Sequence, residues 1–190
     1  MFDPGNINDV IRCRRAVFPM MYNDRPIERE IIRQILLNAN WAPSHKLTEP
    51  WRFKVMTGKA LQDLGQELAR LYKMKAGDRF SEIKYKKNLE NPSRSACVIA
   101  ICMQRDPKES LPEWEEIAAV ACSVQNMWLT CTAYNIGSYW SSPDTISDIG
   151  DFLQLANGER CLGFFYMGYY DTAIAPTQRK PIEGKILWME

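Results

Sequence analysis

The stretch Ala42-Pro43-Ser44-His45-Lys46-Leu47-Thr48-Glu49-Pro50-Trp51-Arg52-Phe53 places an imidazole, two cations, a carboxylate and two large aromatic rings within twelve residues. Chemistry so mixed in so short a span is rarely needed for packing alone. Three further groups share this character: Arg12-Cys13-Arg14-Arg15, Trp140-Ser141-Ser142, and Arg179-Lys180-Pro181 near the end. The planar fork of arginine makes paired, charge-assisted hydrogen bonds that survive partial burial, which suits Arg14, Arg15 and Arg179 to a phosphate. The competing account is plain solvation, since cations beside a helix C-terminus or in a short basic tail are ordinary surface. On residue type alone, His45 reads as a satisfied structural group and Trp41 as core. Trp140 to Ser142 reads equally as a serine-rich turn after a strand.

The elements that must position these groups follow from periodicity. Ile27, Ile31, Ile32, Ile35, Leu36 and Ala39 fall on one face of a helix over 27–40, with Pro26 and early glutamates at its start. A short helical segment, Ile7 to Arg12, precedes the arginine cluster. Trp51 to Met56 reads as a strand closed by Thr57-Gly58, and Lys59 to Tyr72 returns to helical spacing through Leu61, Leu64, Leu68 and Leu71. A more polar helix follows over 79–90, where the basic run Lys84 to Lys87 reads as a solvated face. Ala96 to Met103 is an unbroken apolar run, the pattern of a strand buried on both faces.

From Glu113 to Tyr134 the chain is helical and apolar around nearly its whole circumference, with Gly137 as the expected stop. Gln125 and Asn126 in its middle argue against a membrane span. A helix buried all round in a small protein implies a second copy covering what one copy cannot, so a homodimer is expected. A strand end and loop at 138–143, a short helix over 145–153 and a strand from Leu162 to Tyr170 complete an α+β pattern with no strict βαβ rhythm.

Composition narrows the function classes. A chain of 190 residues with 46% hydrophobic and 25% charged residues is expected to form one soluble domain. A formal net charge of +1 gives no basic excess for nucleic acid. Six scattered cysteines without a CxxC pair, beside the single histidine His45, offer no zinc or iron–sulfur ligand set; buried reduced thiols in a cytoplasmic protein fit them better. No secretory signal opens the chain, so export by that route is not expected. GxGxxG, GxxxxGK[ST] and GxSxG are all missing, which gives no support for a Rossmann nicotinamide site, a P-loop or a nucleophile elbow.

The Ala-Pro-x-His-Lys setting of His45, the Pro50-Trp51 pair, Arg14-Arg15 and the Arg179-Lys180-Pro181 ending together resemble the nitroreductase family of FMN-dependent oxidoreductases, in its compact single-domain branch. The resemblance implies a nitroreductase-like fold, a central mostly antiparallel sheet flanked by helices, with residues 1–190 as one domain in a homodimer. It implies FMN bound at the subunit interface, NADH or NADPH as electron donor, and a nitroaromatic, quinone or similar acceptor reduced by a ping-pong mechanism with no essential acid or base. Arg14, Arg15, Arg179 and Lys180 correspond to the family's phosphate anchors. Ala16 stands where a hydroxyl is usual, so one hydrogen bond there is lost or passes to water. Trp41 and His45 correspond to positions that reach the cofactor from the partner subunit, and Trp140, Ser141 and Ser142 to the loop that lies over the flavin and tunes its reduced form. Leu47 and Glu49 replace the amide side chains of the family's Asn-x-Gln-Pro-Trp pattern. Two other roles are compatible with the scaffold: a flavin-fragmenting or dehalogenating enzyme, with 77–91 as the only candidate lid, and a non-catalytic flavin carrier.

Overall fold

In the computed structural model, which describes residues 4–175 and 177–190, the apolar run of the sequence becomes the middle of the molecule. Every residue from Cys97 to Met103 is buried, so the strand β2 (Cys97–Gln104) is shielded on both faces up to its last residue. It lies between β1 (Trp51–Met56) and β4 (Glu159–Tyr169), and β3 (Ile136–Ser141) closes the far edge, giving a four-stranded sheet in the order β1-β2-β4-β3 with every neighbouring pair antiparallel.

Because successive side chains of a strand point to opposite faces, β2 feeds two cores. Cys97, Ile99, Ile101 and Met103 pack against α2 (Arg29–Asn40) and α5 (Glu113–Ala133). Val98, Ala100 and Cys102 pack under α3 (Lys59–Ala76), through Leu61, Leu64 and Leu68. The polar helix α4 (Glu82–Ser93) lies on α3, α1 (Pro4–Cys13) leads into the arginine cluster, and the single turn α6 (Gly150–Leu153) follows β3.

Within one chain α5 is covered on one side only. Its inner face, including Glu116, Val120, Val124, Met127 and Cys131, is buried, whereas Trp114 is 67% exposed and Ile117, Ala118 and Cys122 are also open to solvent. One expectation is corrected: Gly137 does not end this helix. The helix stops at Ala133, Asn135 takes the left-handed conformation (φ 54°), and Gly137 sits inside β3, where a Cβ would come within 2.9 Å of the Val17 and Tyr170 side chains. Among the described residues no helix is long and apolar enough to cross a membrane.

Candidate functional site

The first group of predicted residues gathers at the start of β3. After α1 the chain continues past Arg14, whose amide donates to Val10 O at 3.0 Å, and then runs along the sheet edge: Ala16 bridges Ser138 in parallel and the Val17 amide donates to Ser138 O at 3.0 Å. This pairing holds Arg14 and Arg15 against the last turns of α5. The Arg14 guanidinium lies 4.6 Å from the centre of the Trp128 ring, and the Trp128 indole donates to Arg15 O at 3.1 Å. The Arg15 guanidinium donates to the carbonyls of Arg12 and Arg14.

Electrostatics gives this corner its character. Burial lowers the pKa of Arg14, and the positive charges of Arg179 and Arg15 lower it further. Arg179, from the other end of the chain, is therefore close enough to Arg14 for the two charges to interact. Among the described residues none of the three has a carboxylate within ion-pair distance. The Arg15 Nε is buried with no hydrogen-bond partner, and a buried donor left so costs about 1–3 kcal/mol unless an acceptor arrives. Like charges close together with a spare donor could accept an anion. Lys180 is exposed beside Arg179, and Ala16, also exposed, adds no hydroxyl.

The other end of β3 opens on a second polar feature. Ser141 lines a cleft of about 200 Å³ together with Lys84, Lys87, Asn88 and Asn91 of α4 and with Thr145. The stacked rings of Tyr139 and Tyr166, 5.7 Å apart, also line it, and burial raises the pKa of Tyr166. The Thr145 Oγ1 is buried without a partner. Lys84, Lys86 and Lys87 are exposed, as the reading of 84–87 as a solvated face expected, and the α4 side chains that wall the cleft were not among the candidate residues. The available signal was their spacing: residues 84, 87, 88 and 91 share one side of a helix.

Trp140 and Ser142 are placed differently from Ser141. Trp140 and Ser141 are strand residues rather than loop, and the Trp140 ring points to the opposite face of the sheet, packed over Gly163. A Cβ at Gly163 would lie 2.2 Å from the Trp140 Nε1, so only glycine admits this ring. Ser142 is exposed.

His45 lies at the opposite end of α5, whereas Trp41 follows one turn after Asn38, whose carbonyl accepts from Asn126 in the later half of that helix. Trp41 caps α2 and is 86% exposed. His45 Nδ1 sits 2.6 Å from Glu115 Oε2, and the following chain takes left-handed backbone at Lys46, Leu47 and Glu49. Glu115 and Trp128 are thirteen residues apart on one helix, a rise of about 20 Å. A single chain therefore does not bring His45 to Arg14.

Comparison with known proteins places this arrangement in a class. The chain belongs to the Nitroreductase family, whose family model matches residues 11–169. Among individual proteins, it is 28% identical over 188 residues to the Bacillus subtilis protein named "Putative NAD(P)H nitroreductase YfhC", covering 96% of this chain and 94% of that one. In structure it is similar to a nitroreductase-like family protein from Bacillus cereus, with a TM-score of 0.82 at 26% identity over 100% of this chain and 99% of the other. An FMN-dependent nitroreductase, NfnB from Mycobacterium smegmatis, solved in complex with NADPH, shares the fold with a TM-score of 0.77 at 17% identity, covering 99% of this chain and 100% of that one.

Proposed function

We propose that this chain is the subunit of a homodimeric FMN-dependent oxidoreductase, one domain per subunit, that draws reducing equivalents from NADH or NADPH and delivers them to nitroaromatic, quinone or similar acceptors in alternating half-reactions. The observation that carries this reading is the meeting of Arg14, Arg15 and Arg179 without a carboxylate at one end of β3, with a polar cleft at the other end. Family membership and the names of the relatives support the same cofactor and donor.

FMN, when bound, supplies the two-electron chemistry. Arg14, Arg15 and Arg179, with Lys180 beside them, hold and neutralise its phosphate; the unpartnered Arg15 Nε is the donor awaiting an acceptor. Ser141, Asn88 and Asn91 offer hydrogen-bonding groups to the ring edges, and Lys84 and Lys87 give that end of the site positive charge, which favours an anionic reduced ring. Trp41 and His45 act from a second copy, docked through the uncovered Trp114, Ile117 and Ala118 stripe of α5. No side chain of the site is assigned as an obligatory acid or base.

The purified protein is expected to be yellow, to bleach on anaerobic addition of NADH or NADPH, and to regain its colour with a nitroaromatic or quinone. A colourless monomer that stays so with excess FMN overturns the reading. A yellow protein that never bleaches leaves the binding and removes the turnover, the outcome to which Ala16, Leu47 and Glu49 would then be traced.

A further inference from the structure

Outside this site, two of the six cysteines are set opposite one another by an irregularity in the sheet. Between β2 and β4 the pairing runs Ile101 to Gly163 and then Cys102 to Cys161, so Leu162 is the extra residue of a β-bulge. Without that extra residue Cys102 would oppose Leu162. With it, the two thiols share one apolar cluster on the same face of the sheet, and the Cys161 thiol donates to Gly163 O at 3.5 Å. Directly opposed residues of antiparallel strands have Cα atoms about 4.5–5.5 Å apart, inside the roughly 4.4–6.8 Å span of a disulfide. A bond between them therefore needs side-chain rotation and no rearrangement of the strands.

Access distinguishes this pair from the other cysteines. Cys161 lines an open cleft of about 810 Å³, walled by Gly150, Gln154, Asn157 and Gly158, while Cys102 lies behind it with no exposed surface. Cys97 and Cys131 are also buried and near each other, but they line none of the described clefts, and burial pushes the Cys97 thiol up to about 12. Cys13 and Cys122 are exposed single thiols.

We propose that Cys161 and Cys102 are a peroxide-responsive thiol pair, with Cys161 attacked from the cleft and Cys102 resolving it to a disulfide. The Cys161 thiolate attacks the peroxide oxygen, the O–O bond breaks, and the departing hydroxide takes up a proton to leave as water; Cys161 becomes the sulfenic acid. The Cys102 sulfur then attacks the Cys161 sulfur, the S–O bond breaks, and the hydroxyl leaves as water with the proton released by Cys102. Two thiols are oxidised by two electrons and one peroxide is reduced to two waters. The order of roles follows from access: Cys161 lines the cleft, whereas Cys102 has no exposed surface.

Hydrogen peroxide titration of the whole protein tests this, with alkylation under denaturing conditions and peptide mass spectrometry without reductant. The expected product is a peptide pair joining Cys102 to Cys161, lighter by two hydrogens and lost on adding dithiothreitol. In Cys102→Ser the sulfenic acid persists on Cys161 and is trapped by dimedone. Recovery of both cysteines fully alkylated after Cys13 and Cys122 have been oxidised overturns the proposal, as does Cys161 linked to any other cysteine.

Discussion

The two ends of α5 treat charge in opposite ways. At its start, each carboxylate of the first turn has a partner: Glu113 with Arg160 at 2.8 Å, Glu115 with His45 at 2.6 Å, and Glu116 with Arg105 at 2.9 Å. Acidic groups there also complement the positive end of the helix dipole. At its finish, Arg14, Arg15 and Arg179 crowd together and no described carboxylate answers them. Charge that only holds the fold together is neutralised from within, because a buried unpaired ion is expensive. Charge left unanswered points to a counter-ion that the chain does not supply. One helix thus carries a structural end and a receptive end.

The sharpest way to break this contrast is to exchange the expected consequences. Glu116 is fully buried and accepts from both the Arg105 guanidinium and the Asp106 amide at 2.8 Å. Glu116→Ala strands two donors and opens a hole, and is expected to lower stability by about 3 kcal/mol in urea denaturation, with FMN affinity of the folded protein unchanged. Arg14→Ala is expected to do the reverse: FMN binding, followed by flavin fluorescence, weakens about tenfold to a hundredfold, and the residual affinity loses part of its salt dependence. Stability should barely move, since relief of repulsion from Arg15 and Arg179 offsets the lost contact with Trp128. If Glu116→Ala abolishes flavin binding without unfolding the chain, the division between the two ends is wrong.

The sequence disclosed the receptive end unevenly, for physical reasons. Periodicity is a property of single elements, so β1, β2, α2, α3 and α5 were legible within a few residues, and Arg14, Arg15 and Arg179 came through the family pattern. What periodicity does not encode is which elements become neighbours. Lys84 and Lys87 are exposed, as a wet helix face should be, yet with Asn88 and Asn91 they also wall the cleft beside Ser141. The alternation of β3 turns the Trp140 ring toward Gly163, a packing that the spacing of Trp140 to Ser142 does not announce. The bulge at Leu162 leaves no mark in composition, yet it decides which residues oppose each other.

The remaining tests refine what an unanswered group means. The Thr145 hydroxyl is the neutral counterpart of the arginines, buried in the wall of the cleft without a partner. Thr145→Val keeps the shape and removes the unsatisfied hydroxyl, so flavin-free protein is expected to gain about 1 kcal/mol in denaturant unfolding. A loss of stability instead would mean that the hydroxyl is already satisfied and that the cleft has no spare group to offer.

The smallest effect belongs to a pair that is answered but wet. Glu67 and Arg70 meet at 2.7 Å on the outer side of α3, with Arg70 more than half exposed. The hydrogen bond from Arg70 holds the Glu67 carboxyl below its ordinary value of 4.5, against the opposing effect of burial. A carboxyl depressed in the folded state contributes stability that is fully present above its unfolded pKa and is lost as pH falls through the folded one. Glu67→Gln is therefore expected to cost less than any variant above at neutral pH, and the gap from wild type should close on acidification below pH 4.5 and in concentrated salt. A gap as wide as that of Glu116→Ala, and insensitive to salt, would show that pairing alone governs the contribution of charge here; a narrow, pH-dependent gap assigns that contribution to burial, the property that also leaves the Arg15 Nε waiting for its acceptor.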